Sequence, residues 1–165
     1  MKNKNKNILD EFADFARERV SQAKKIKNLE VIKREAFEIK EIKNGNFEFE
    51  NALKCEGLSF ICECKKASPS KGLISEDFPY LEIAKDYESA GADCISVLTE
   101  PKYFLGSDEY LREISGSVKI PCLRKDFVVD EYMIYEAKTL GASAILLICA
   151  ILDEARLRER SEEHT

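Results

Sequence analysis

The stretch Ser59-Phe60-Ile61-Cys62-Glu63-Cys64-Lys65-Lys66-Ala67-Ser68-Pro69-Ser70-Lys71-Gly72 is an apolar run that ends in charge and passes into a polar loop. As a strand it sends alternate residues to opposite faces, so Ile61, Glu63 and Lys65 point one way and Phe60, Cys62 and Cys64 the other. A glutamate and a lysine then project together from the strand's end. Burying such a pair without a use costs desolvation energy that packing does not return, whereas at the mouth of a parallel barrel it lines an active site.

Working outward, three further apolar runs follow at residues 94–98, 120–129 and 144–149. The segments between them read as helices. Pro79 opens one whose apolar positions Ile83, Ala84, Tyr87 and Ala90 share a side until Gly91 stops it. Ser107 is placed to cap residues 109–115, and Asp130 to cap a helix with Met133, Ala137 and Leu140 on its apolar side and Gly141 at its end. Tyr87-Glu88 leading to Gly91-Ala92-Asp93-Cys94-Ile95 is echoed by Tyr135-Glu136 leading to Gly141-Ala142-Ser143-Ala144-Ile145. The last run is apolar throughout, as a strand buried on both faces should be. Strands alternating with helices predict right-handed β-α-β units and a parallel sheet. An open doubly wound sheet and part of a (βα)8 barrel fit this pattern equally, but no glycine-rich dinucleotide fingerprint follows the first strand, which favours the barrel.

Upstream, apolar residues recur at helical spacing from Ile8 to about Lys25, with Asp10 and Glu11 early and Lys24 and Lys25 late, as the helix dipole prefers. Residues 29–42 form a second, less regular helical segment. Gly45-Asn46 breaks it before a short helix over 47–54.

The chain has 165 residues, of which 44% are apolar and 35% charged, enough for one domain with a sizeable core. A net charge of −5 gives no reason to expect nucleic acid or an anionic membrane as partner. No run is long and apolar enough to span a bilayer, and the start lacks a signal-peptide core, which predicts a cytoplasmic protein. Of the six cysteines, Cys62, Cys64, Cys94, Cys122 and Cys149 lie in or beside apolar runs and read as buried free thiols; Cys55 does not. The single histidine, His164, sits in a charged tail, and no metal site is expected.

Charge recurs at the end of the third run. Period two places Leu123, Lys125 and Phe127 on one face, and alternate strands of a barrel fill the same interior layer. Lys65, Lys125 and Glu63 would then converge beside an aromatic ring, suited to binding an anion and to protonating a carbonyl oxygen. The alternative is that both lysines cap the sheet in solvent with Glu63 as their ion-pair partner. Ser68-Pro69-Ser70-Lys71-Gly72 reads either as a polar turn or as a phosphate-holding loop. Tyr103-Phe104 reads first as a loop packing its rings on the body, and Asp126 as a structural hydrogen-bond acceptor.

The string from Glu63 to Gly72 closely resembles the E-x-K-x-x-S-P-S signature of the indole-3-glycerol phosphate synthase family. Ser96-Val97-Leu98-Thr99-Glu100-Pro101-Lys102-Tyr103-Phe104-Leu105-Gly106 and Leu123-Arg124-Lys125-Asp126-Phe127-Val128-Val129 are similar to that family's second-strand loop and third strand, and the Ile8-Leu9-Asp10-Glu11 helix to its amino-terminal extension. The resemblance runs over residues 8–153. It implies a (βα)8 TIM barrel that closes the pyrrole ring of a carboxyphenylamino-deoxyribulose phosphate in tryptophan synthesis, with loss of carbon dioxide and water and without a cofactor. By the same analogy Lys125 is the general acid, Lys65 contacts the substrate anion and acts as a second proton donor, and Glu63 orients them. Ser68 and Ser70 belong to the phosphate-side loop, while Pro69, Phe104, Phe127 and Leu146 wall the anthranilate ring.

A complete barrel takes about 250 residues, so the expectation is a barrel truncated after about four βα units. Residues 1–54 form a helical extension, 55–157 the first half of the barrel, and 158–165 a tail departing from the family. The family's second catalytic glutamate, on the fifth strand, and the phosphate loops of the last strands have no counterpart. The chain alone is therefore expected to be inactive and to self-associate through its open sheet edges. Two other readings stay open: a phosphoribosylanthranilate isomerase-like barrel, which the Lys65 and Lys125 motifs disfavour, and a half-barrel that associates without catalysing anything.

Overall fold

The computed structural model describes residues 7–39 and 47–152, together with residues 155 and 158. The break at Gly45-Asn46, His164 and the rest of the tail beyond residue 158 lie outside the described residues. The chain begins with helix α1, Ile8–Ile26, closed at its start by a reciprocal capping box. Asn7 accepts from the Leu9 amide, and the Asn7 amide donates to Asp10. Helix α2 spans Leu29–Glu38, with the Asn28 side chain accepting from the Val31 amide, and α3 spans Glu48–Leu53.

Strand β1, Ile61–Cys64, is followed by a two-rung hairpin of β2, Ala67–Ser68, and β3, Gly72–Leu73. Then come α4, Tyr80–Ser89; β4, Cys94–Leu98; α5, Asp108–Ser117; β5, Cys122–Lys125; α6, Tyr132–Thr139; and β6, Ala144–Ile145. The four-stranded sheet is parallel in the order β1-β4-β5-β6. Consecutive strands are neighbours, without the reversal of order that marks a doubly wound sheet. Among the described residues the sheet is open at β1 and at β6.

The echo in the sequence is a repeated helix ending. Gly91 and Gly141 adopt φ of +91° and +86°, which L side chains resist, and reverse the chain after α4 and α6. Gly91 donates to Glu88 and Ala92 to Tyr87; Gly141 donates to Lys138 and Ala142 to Ala137. Those are the paired bonds of a Schellman motif. The next amide then enters the sheet in both cases, Asp93 to the Phe60 carbonyl and Ser143 to the Cys122 carbonyl. Ser107 caps α5 through the Glu109 amide, and Asp130 accepts from the Tyr132 amide at the start of α6.

Strand register divides the side chains. Cys64, Ile95, Val97 and Cys122 pack outward with Ala84, Leu111 and Ile114 of α4 and α5. A second core joins Phe12, Ala16 and Val20 of α1 and Ile32 and Ala36 of α2 to residues 127–135. The extension thus shares a core with α6 and the loop that leads into it. No helix among the described residues is long and apolar enough to cross a membrane.

Three expectations need correction. The fourth run pairs only over Ala144–Ile145 and then passes into a 3-10 turn at Cys149–Ile151, instead of forming a strand over 144–149. β5 ends at Lys125, and among the described residues no other strand flanks the run, so the ladder stops after Ile145. For the same reason residues 144–148 are half-buried rather than buried. Cys64, Cys94 and Cys122 are buried free thiols as expected, but Cys62 is half-buried and Cys149 exposed.

Candidate active site

The register sets Glu63 beside Ser96, Ser96 beside Leu123, and Leu98 beside Lys125. Lys65 follows directly after β1 and Lys125 ends β5, so both lysines stand above Glu63 at the carboxyl ends of their strands. Its two carboxylate oxygens are divided between them. Oε1 accepts from Lys65 Nζ at 2.5 Å, and Oε2 from Lys125 Nζ at 3.0 Å and from Ser96 Oγ at 3.4 Å. All three charged side chains keep about a third of their surface, 27% for Glu63, 33% for Lys65 and 35% for Lys125. They are open to a ligand.

Partial burial by itself raises the Glu63 pKa, but the hydrogen bonds and charges of Lys65 and Lys125 outweigh it and hold the carboxyl below its usual 4.5. A depressed folded value means the ion triad stabilises the fold above about pH 4.5 and that this contribution is lost as pH falls through the folded pKa. Glu63→Gln is therefore expected to flatten the acid limb of the stability curve below that pH, measured by urea unfolding at a series of pH values. An unchanged acid limb would show that the triad does not hold in solution.

Beside the triad lies a pocket of about 350 Å³ lined by Lys65, Ser68, Pro69, Ser70 and Lys71 on one side and by Ile8, Phe12, Ile74 and Phe104 on the other. The Lys71 amide donates to Ser68 Oγ at 3.2 Å, and the Ser68 and Ser70 hydroxyls are 3.4 Å apart. Hydroxyls and a cation thus face an apolar wall. The wall is built around Phe12, whose ring lies 4.5 Å from Tyr103, 4.8 Å from Phe127 and 6.2 Å from Phe104.

Phe104 is held there by a buried carboxylate. Glu100, 1% exposed, accepts from the amides of Lys102, Tyr103 and Phe104 at 3.0, 2.7 and 3.0 Å, and its carbonyl accepts from the Gly106 amide. The Phe104 carbonyl in turn accepts from the Ala67 amide, tying this loop to the Ser68 loop. Gly106 lies against the end of β4, where an added Cβ would stand 2.4 Å from the Leu98 carbonyl oxygen. Gly106→Ala is expected to cost about 1–3 kcal/mol, as overpacking against a rigid neighbour does, read as a lowered unfolding midpoint.

Directly after Lys125, Asp126 is buried and accepts from Arg19 of α1 at 2.6 and 3.2 Å, from Thr99 Oγ1 at 2.7 Å and from the Phe127 amide at 2.8 Å. Burial would raise its pKa; the Arg19 and Arg124 charges and the bonds from Arg19 and Thr99 bring it below the ordinary aspartate value. Arg124, 1% exposed, donates to Thr99 Oγ1, the Met133 carbonyl and Asp108, and pairs with Glu136 at 2.9 Å. Burial, with the Asp108 charge, nevertheless leaves the Glu136 carboxyl raised.

The family model for indole-3-glycerol phosphate synthase matches residues 9–164. The chain belongs to the indole-3-glycerol phosphate synthase family. It is 55% identical over 152 residues to the indole-3-glycerol phosphate synthases of Ruminiclostridium cellulolyticum and Endomicrobium trichonymphae, covering 92% of this chain and 58% of each relative. To the Lacticaseibacillus paracasei enzyme of that name it is 51% identical, with the same coverage. The chain thus spans less than two thirds of the length of these relatives.

Of the residues the family resemblance singles out, Glu63, Lys65 and Lys125 meet in one triad, and Lys65, Ser68, Pro69, Ser70 and Phe104 line one pocket. Phe127 is buried behind that wall and touches it through Phe12 and Phe104. Leu146 is not among the pocket's lining residues; it lies just past the short β6, half-buried. Sequence reading missed Ile8 and Phe12, which bring α1 to the pocket, and the buried acceptor Glu100. Helical spacing had already put Ile8 and Phe12 on one face. Nothing local distinguishes Glu100.

Proposed function

We propose that this chain supplies the anion-binding and proton-donating part of an indole-3-glycerol phosphate synthase, a carboxy-lyase of tryptophan synthesis. Residues 1–54 serve as its extension, 55–157 as the first half of a (βα)8 barrel, and 158–165 as a tail, in a cytoplasmic protein. The observation that carries this reading is Glu63 shared between Lys65 and Lys125 beside the pocket. In ring closure the anthranilate ring carbon attacks the ribulose carbonyl, whose oxygen gains negative charge. Lys125, hydrogen-bonded to Glu63, would deliver a proton there, and Lys65 would hold the substrate anion at the pocket rim, where Ser68 and Ser70 add hydroxyl donors. Pro69 and Phe104, backed by Phe127, give the aromatic ring an apolar seat.

The test joins this chain to the segment of the R. cellulolyticum relative that follows its match, and assays indole-3-glycerol phosphate. Turnover is expected from the joined chain. Lys65→Met is expected to raise KM for the phosphorylated substrate; a fall in kcat with KM unchanged would overturn the anion-binding role of Lys65. The 165-residue chain alone is expected to make no product and to self-associate through its open edges, as light scattering would record. Product formed by a stable monomer of the chain alone would reject that part.

A further inference from the structure

Thr99, buried directly after β4, holds three consecutive residues of the neighbouring segment. Its amide donates to the Lys125 carbonyl at 3.1 Å, which carries the parallel ladder one residue past the strand. Its hydroxyl donates to Asp126 Oδ2 at 2.7 Å and accepts from Arg124 Nε at 3.2 Å. A hydroxyl can do both at once, because it has a proton to give and lone pairs to spare. Arg124 and Asp126 stand two residues apart and so share the helix-facing side, while Lys125 between them points to Glu63. Their own contact is loose, with Arg124 Nη2 3.8 Å from Asp126 Oδ2 and the Thr99 hydroxyl bridging Nε to Oδ2. Without that bridge the opposite charges are free to close on each other. Closing residues i and i+2 on one face of an extended chain turns the peptide planes on both sides of Lys125 and swings the side chain on the other face. Neither charge loses its last partner when the hydroxyl goes. Arg124 keeps Asp108, Glu136 and the Met133 carbonyl, and Asp126 keeps Arg19 and the Phe127 amide.

We propose that Thr99 is a positioning residue for Lys125: its hydroxyl spaces Arg124 from Asp126 and so aims the lysine between them at the reacting carbonyl. The inference rests on reading Lys125 as the general acid and goes further in naming what sets its direction. Thr99 is not among the residues that line the pocket, so it acts only through the lysine. Glu63 registers the result. Its Oε2 receives Lys125 and Ser96 and its Oε1 receives Lys65, so a displaced Lys125 leaves one oxygen with the weaker donor alone.

Thr99→Val removes the hydroxyl at nearly constant shape and keeps the amide bond to Lys125, whereas Thr99→Ser keeps both. In the chain alone, the Glu63 carboxyl is titrated by NMR in the parent, in both variants and in Lys125→Met, which marks the value reached without the lysine. The expected result is that Thr99→Val moves the Glu63 pKa up from its depressed parent value toward that of Lys125→Met, and that Thr99→Ser returns it. In the joined chain Thr99→Val is expected to lower kcat about 100-fold, the cost of misplacing a reacting group by on the order of 1 Å, with KM little changed and Thr99→Ser near the parent. A Glu63 titration that does not move in folded Thr99→Val overturns the proposal. So does a kcat that holds in an active joined chain, a change confined to KM, or a loss that serine does not restore. If Thr99→Val does not keep the parent's circular dichroism, Thr99→Ala takes its place; failure of both to fold also overturns the proposal, since the hydroxyl then serves the whole fold. The titration involves no turnover, so the two readings fail separately. A joined chain without product defeats the functional reading while the titration still decides whether Thr99 directs Lys125, and an active joined chain with an unmoved titration defeats this inference alone.

Discussion

Replacing Lys125 by alanine in the joined chain is expected to lower kcat by about 100-fold to 10,000-fold, the range for removal of a general acid, while KM changes little. The geometry separates this result from a structural one. Lys125 ends β5 with its ammonium 3.0 Å from Glu63 and a third of its surface open, and its neighbours Arg124 and Asp126 carry the buried network instead. Deleting the amine removes one of three donors to Glu63, leaving Lys65 and Ser96. The carboxylate is not orphaned, so the fold should survive. The unfolding midpoint of Lys125→Ala should stay near that of the parent chain, and Lys125→Arg, which keeps the charge but not the point-like ammonium, should not restore turnover. A kcat near the parent's would show that Lys125 only balances the charge of Glu63.

The parts of this arrangement that were legible in the sequence are those set by local rules. Period two along residues 59–65 and 122–125 is enough to put Glu63, Lys65 and Lys125 on one side of the sheet. Ser107, Gly91 and Gly141 announce helix ends because capping chemistry acts within a few residues. Arg124 and Asp126 obey the same alternation, but it places them on the side facing helices, where nothing local explains a charge. Their explanation is Arg19, on a helix 107 residues away from Asp126, and the carboxylates of Asp108 and Glu136. The length of the fourth strand failed for a different reason. Ala144 to Cys149 is apolar enough for a central strand, but hydrophobicity does not say whether a neighbour exists on both sides, and here β5 is its only described one. Leu146 lies just past that short pairing.

The second large effect is expected at Asp126. Asp126→Ala takes away the carboxylate that receives both Arg19 nitrogens and the Thr99 hydroxyl, at a position the solvent does not reach. Arg124 keeps Asp108 and Glu136, so the group that loses its paired carboxylate is Arg19, whose Nε is buried with no hydrogen-bond partner among the described residues. Breaking one side of a buried pair costs about 3–5 kcal/mol, a large share of the roughly 5–15 kcal/mol that a domain of this size has. Because α1 carries Arg19 together with Phe12 and Ile8, the loss should be felt first where α1 meets the pocket, as faster exchange of its amides before the sheet opens. A double-mutant cycle decides the cause. If the cost is the stranded guanidinium, Arg19→Met in the Asp126→Ala background should recover a substantial part of it, since an apolar side chain of similar length fills the space without needing a partner. If Arg19→Met and Asp126→Ala instead add independently, the two residues are not coupled across that contact, and α1 is held to the sheet by its apolar face alone.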